Sequence, residues 1–157
     1  TVGDWGFRGI KLHPMADNFA ITDSTYMDAV VEATIRHDVP IWFHTGHLPN
    51  ATPMQISRLA AKFPKAKLII GHLGGAMIYD AILCAQSRPN VFVDVSLQGT
   101  ASVHLACAEL PAQKLIFGSD APYGDMRGSK RAIETSGLSE SEKAAVLGGN
   151  IAALCRL

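Results

Sequence analysis

Leu68-Ile69-Ile70-Gly71-His72-Leu73-Gly74-Gly75 is the stretch on which the fold reading turns. A short apolar run ends in a histidine and passes into a glycine turn. The run is apolar at successive positions, so both faces of a strand built from it would be covered. Short apolar runs of the same kind recur at Gly9–His13, Ile41–His44, Val91–Ser96 and Leu115–Ser119. Amphipathic stretches lie between these runs. Met27, Val30, Val31 and Ile35 recur at helical spacing, as do Ile56, Leu59, Ala60 and Phe63, and Val103, Ala106, Cys107 and Leu110. Strand and helix in steady alternation predict parallel strands joined by crossover helices.

Local signals mark the helix ends. Asp23 or Ser24 is placed to cap the first long helix, and Thr52-Pro53 reads as a cap followed by an N1 proline. Ser139 with Glu142 spells a capping box. Asn150 is read as the cap of a last short helix, set apart from the preceding one by Gly148 and Gly149. An open doubly wound sheet and a closed βα-barrel both satisfy the alternation. An open sheet of the nucleotide-binding kind carries a glycine-rich phosphate loop, and His72-Leu73-Gly74-Gly75 matches no such fingerprint.

Composition narrows the function classes. The chain has 157 residues, 48% hydrophobic and 18% charged, which is the balance of a globular domain with a real core. Its formal net charge is zero and no basic run appears, so nucleic acid is not expected as a partner. The apolar runs are strand-sized, too short to cross a membrane. The N-terminus TVGDWGFRG resembles no signal peptide, and without Met it reads as a cut end. Cys84, Cys107 and Cys155 lie far apart and are read as buried free thiols of a cytoplasmic protein.

The polar residues fall at equivalent positions. His13, His44, His72 and Asp120 each sit at or just beyond the C-terminal end of an apolar run. In a parallel barrel those ends share the face that carries active sites. Neutral imidazole and carboxylate suit zinc first, with manganese or iron as alternatives. We therefore expect His44, His72 and Asp120 as metal ligands, with His72 and Asp120 catalytic. Asp120 would take a proton from a metal-bound water and return it to the leaving group. Lys11, His13, His47 and Tyr123 are expected to line the substrate site. Asp94 is a candidate support for a histidine, and Ser96 a candidate substrate contact. His37 and His104 are read as surface residues, and Trp5 and Trp42 as packing residues.

Six segments carry a resemblance to a known family: Gly6–Pro14, Pro40–Gly46, Ile69–Gly75, Val91–Ser96, Leu115–Pro122 and Leu147–Leu154. In this order they resemble the amidohydrolase superfamily, specifically its amidohydrolase-related branch of TIM-barrel metal-dependent hydrolases and decarboxylases. The resemblance implies that the five strands are the fourth to eighth of a barrel. It places His44 on the fifth-strand histidine, His72 on the sixth-strand histidine and Asp120 on the eighth-strand aspartate. It implies hydrolysis of an amide, ester or lactone, or non-oxidative decarboxylation of an acid. The family's first-strand His-x-His is not found; the chain has His44-Thr45-Gly46-His47 instead. A full barrel needs about 250 residues. The expectation is therefore one domain over residues 1–157, an incomplete (β/α) barrel truncated at its N-terminus. If the chain stands alone, its strand edges need a partner, such as a second copy in a homo-oligomer. A non-catalytic fragment that binds a small molecule is a further reading. So is a Schiff-base aldolase using Lys11, against which the clustered histidines argue.

Overall fold

The computed structural model describes residues 2–46 and 48–157. His47 lies outside the described residues, so its expected substrate contact has no structural counterpart here. Five strands form one parallel sheet in sequence order: β1 (Ile10–Leu12), β2 (Ile41–Phe43), β3 (Leu68–Ile70), β4 (Val91–Asp94) and β5 (Leu115–Ile116). Ile10, Ile41, Leu68 and Val91 stand in one register row across the first four strands. The fold is the parallel α/β sheet that the alternation predicts, in the sequential strand order of the partial barrel that the resemblance implies. The strands are shorter than the apolar runs that announce them. The strands end before His13, His44 and His72, and His72 turns the chain out of the sheet with a left-handed backbone.

The helices are α1 (Val2–Trp5), α2 (Ser24–His37), α3 (Pro53–Lys62), α4 (Ile78–Ser87), α5 (Thr100–Glu109), α6 (Met126–Glu134), α7 (Glu140–Ala144) and α8 (Asn150–Cys155). The two sheet faces have separate cores. Ile41, Phe43, Leu68, Ile70, Val91, Val93 and Leu115 pack with Met27, Val31, Ile56, Leu59, Val103 and Ile133 from the helices. Burying each such side chain contributes about 1.5–3 kcal/mol, which makes this layer the main driving force. Alternate residues Trp42, Ile69, Phe92 and Ile116 face the other way and pack with Ile151 and Leu154 of α8.

Asp23 caps α2 by accepting from Thr25 N–H, and Ser139 and Glu142 form the complete capping box of α7. At Thr52 the N1 proline is present but the side chain makes no capping bond. Gly148 and Gly149 do not break the C-terminal helices apart. A π-helical segment, Ala145–Gly149, carries α7 directly into α8. Asn150 is accordingly helical and is not a cap. Its Nδ2 donates to Ala112 O and Leu115 O at 2.7 Å each, pinning α8 to the start of β5. Trp5 does not pack in a core; it is 74% exposed. His37 is exposed as expected. His104 is half-buried, and its Nε2 meets Ala132 O at 3.1 Å, tying α5 to α6. Cys84 and Cys107 are buried free thiols, whereas Cys155 is half-buried.

Candidate active site

His72 follows β3 with φ 54° and ψ 32°, and Leu73 follows it with φ 49°. Left-handed backbone at a bulky residue is uncommon and costs about 1–3 kcal/mol. Neighbouring bonds hold it in place. His72 N–H donates to Asp94 Oδ2 at 3.0 Å. His72 O accepts from Gly75 N–H at 2.7 Å and from Gln98 Nε2 at 2.8 Å. Gly74 and Gly75 have φ of 79° and 65°, so the turn after the histidine needs residues free of a Cβ. Asp120 is also left-handed, with φ 54°. Its carbonyl accepts from Tyr123 N–H and Gly124 N–H, which closes the turn after β5.

A cleft of about 340 Å³ opens at this end of the strands, lined by Lys11, Trp42, His72, Asp94, Ser96, Gly118 and Asp120. His72, Asp94 and Ser96 are 5%, 1% and 2% exposed. Asp94 Oδ1 accepts from Ser96 N–H at 3.0 Å, and Oδ2 accepts from Ser96 Oγ at 2.6 Å. Ser96 Oγ lies 2.8 Å from His72 Nδ1. On its other side His72 Nε2 lies 3.0 Å from His44 Nδ1. The His44 ring stacks on His13, with centroids 3.8 Å apart and planes 12° apart. Gly118 leaves room for Asp94: a Cβ there would overlap the carboxylate. Thr45 Oγ1 donates to Gly71 O at 2.5 Å, fastening the end of β2 to the end of β3.

The electrostatics keep the imidazoles neutral. Burial, reinforced by His13, His72 and Lys11, pushes His44 down to about 4, with Asp120 opposing. Burial also lowers His72, against the pull of Asp94. Lys11 is lowered by desolvation, which the Asp94 and Asp120 charges counter. Neutral imidazoles and a nearby carboxylate are the donor chemistry that borderline divalent metals take. Two of the three expected ligands, His44 and His72, point ring nitrogens at one another, and Asp120 shares the cleft with His72. Among the described residues no three His, Cys, Asp or Glu side chains form a metal-holding group by themselves.

The other expected site residues divide. Lys11 lines the cleft and lies 5.6 Å from the Trp42 ring centroid. His13 reaches His44 by its ring face, while its Nδ1 accepts from Ala16 N–H at 3.1 Å. Tyr123 is 87% exposed at the rim. Trp42 does more than pack: it lines the cleft, and its buried Nε1 has no partner among the described residues. Sequence reasoning named Asp94 and Ser96 separately and missed that they act together. Their two-residue spacing at a strand end was the available signal. Gln98, which holds the His72 carbonyl, had none.

The fold has counterparts among solved structures. The fold matches an uncharacterised TIM-barrel protein of Bordetella bronchiseptica with TM-score 0.82 and 21% identity, over 99% of this chain and 60% of that one. It matches a dihydroxybenzoic acid decarboxylase of Polaromonas, solved with manganese and an inhibitor, with TM-score 0.77 and 17% identity, over 99% and 63%. It matches 4-oxalomesaconate hydratase of Rhodopseudomonas palustris with TM-score 0.75 and 22% identity, over 99% and 57%. The chain thus spans less than two thirds of each of these structures, and at these identities the likeness is one of fold. No curated protein matches the chain. No helix among the described residues is long and apolar enough to cross a membrane. The family profile described as Amidohydrolase matches residues 1–157, so the chain belongs to the amidohydrolase family.

Proposed function

We propose that the cleft belongs to a metal-dependent enzyme acting at a carbonyl or carboxyl carbon of a small molecule, in the first reading a hydrolase of an amide, ester or lactone. One observation carries this reading: neutral His72, in contact with neutral His44, lines a cleft that also holds Asp120 and Lys11. His44, His72 and Asp120 would hold a divalent ion. Such an ion, when bound, brings a coordinated water to a pKa of about 7 and polarises a carbonyl. Zinc suits the donor set, and the manganese of the Polaromonas decarboxylase structure supports manganese equally. Asp120 takes the proton of the attacking water and passes it to the leaving group. Lys11, exposed in the cleft beside Trp42, anchors an anionic group of the substrate. His13 braces the His44 ring, and His47 and Tyr123 reach the substrate from the loops. We place the protein in the cytoplasm, with its thiols reduced. A homo-oligomer would cover the edge strands β1 and β5, which light scattering would read.

Non-oxidative decarboxylation is the second reading. It is favoured by the likeness to the dihydroxybenzoic acid decarboxylase and to a 5-carboxyvanillate decarboxylase from Sphingomonas paucimobilis. There the bond to the carboxylate breaks, CO2 leaves, the electron pair stays on carbon, and protonated Asp120 supplies the proton. The test loads the protein with zinc or manganese and offers an ester, a lactone and a hydroxybenzoate. Acid release marks the hydrolase and CO2 release the lyase, and Asp120→Asn should abolish either. Failure to take up metal, or activity unchanged in Asp120→Asn, defeats the proposal.

A further inference from the structure

With Asp94 ionised, the bonds around it leave one consistent arrangement of protons. Its carboxylate is an acceptor without a proton to give. Oδ1 takes Ser96 N–H, and Oδ2 takes both His72 N–H and the Ser96 hydroxyl. Ser96 has a single hydroxyl proton, and the 2.6 Å contact to Oδ2 uses it. Toward His72 the Ser96 oxygen can then only accept. The 2.8 Å contact therefore requires a proton on His72 Nδ1. Asp94 cannot do this directly, because its Oδ2 is 3.9 Å from Nδ1. A neutral His72 protonated at Nδ1 carries its lone pair at Nε2. That nitrogen lies 3.0 Å from His44 Nδ1, which must then be the donor. Three hydrogen bonds run in one direction, from His44 through His72 and Ser96 to Asp94, and each polarises the next.

We infer that Asp94 and Ser96 are a positioning pair that fixes His72 as its Nδ1–H tautomer, with the Nε2 lone pair facing His44. The catalytic meaning of this tautomer rests on the function proposed above. It makes neutral His72 a ligand or base at Nε2, and unable to donate there to a substrate carbonyl. The tautomer itself needs neither metal nor substrate. The pair also explains the room left at Gly118, where a Cβ would push the carboxylate out of the chain of bonds.

The test is long-range 1H–15N NMR of chelator-treated, imidazole-labelled protein near neutral pH, which separates protonated from bare ring nitrogens. His72 is assigned by loss of its signals in His72→Asn. The wild type and Ser96→Thr should show His72 protonated at Nδ1 and bare at Nε2. Ser96→Ala should move the tautomer ratio toward Nε2–H by about fivefold or more, the scale set by one lost hydrogen bond. A serine that merely filled space would leave the ratio unmoved. His72 protonated at Nε2 in the wild type overturns the inference, and so does a Ser96→Ala protein that keeps the wild-type ratio. If Ser96→Ala does not fold, the wild-type spectrum still decides. A chain that shows the Nδ1–H tautomer but binds no metal would sink the proposed function and leave the positioning pair standing.

Discussion

Asp94→Asn changes one atom of a buried carboxylate that receives hydrogen bonds from His72 N–H, Ser96 N–H and the Ser96 hydroxyl. The amide keeps its shape but has only one acceptor oxygen. Turned to serve the two donors at Oδ2, it sets its NH2 against Ser96 N–H. One buried donor is then orphaned, at about 1–3 kcal/mol. The two remaining bonds become neutral instead of charge-assisted, each losing about 1 kcal/mol. Easier burial of a neutral amide offsets part of this. The net loss should be about 2–4 kcal/mol. With a urea m value near ~2 kcal/mol/M, the unfolding midpoint falls by about 1–2 M. Urea titration of chelator-treated protein by circular dichroism reads this, with the exposed Asp17→Asn as control, expected within about 0.5 kcal/mol of wild type. A midpoint lowered by less than ~0.5 M would refute the claim that Asp94 organises this end of the sheet.

Further outcomes follow from the same contacts. Gly118→Ala forces a Cβ onto Asp94 and should cost about 1–3 kcal/mol by the same titration; an unchanged midpoint would mean that Asp94 has room to move. Asn150→Asp separates a cap from a clamp. Asp caps a helix as well as Asn does but donates nothing to Ala112 O and Leu115 O, so a loss of about 1–3 kcal/mol is expected, and equal stability would restore the cap. Ser139→Ala should cost about 1 kcal/mol through the capping box, read as a lower melting temperature. Folded His44 has its pKa near 4 and the unfolded imidazole near ~6.5, so between these values the unfolded chain binds more protons. The His44 contribution is complete above about 6.5 and is lost as pH falls toward 4. The urea midpoint of chelator-treated wild type should therefore fall more steeply over this window than that of His44→Gln, and parallel curves would contradict it.

The sequence carried the fold a long way. Continuous apolar runs, helical faces and the Asp23 and Ser139 caps are local, and local patterns set local structure. They were sufficient for the parallel sheet, whose strand order only the family resemblance implied, and they put His44, His72 and Asp120 at strand ends. Where the pattern misled, a distant contact had prevailed. Gly148 and Gly149 read as a break, yet they lie inside a continuous helix because Asn150 finds its partners 35 and 38 residues away in Leu115 and Ala112. β3 ends early because His72 leaves the sheet in a left-handed turn that Asp94 stabilises from 22 residues away. His13 stacking on His44, and the run of bonds from His44 to Asp94, depend on the lateral spacing of neighbouring strands. The sequence by itself determined which histidines and carboxylates reach the C-terminal ends of the strands. Only the tertiary structure decided which nitrogen meets which oxygen there, because hydrogen-bond direction is set by through-space distances that no linear spacing encodes.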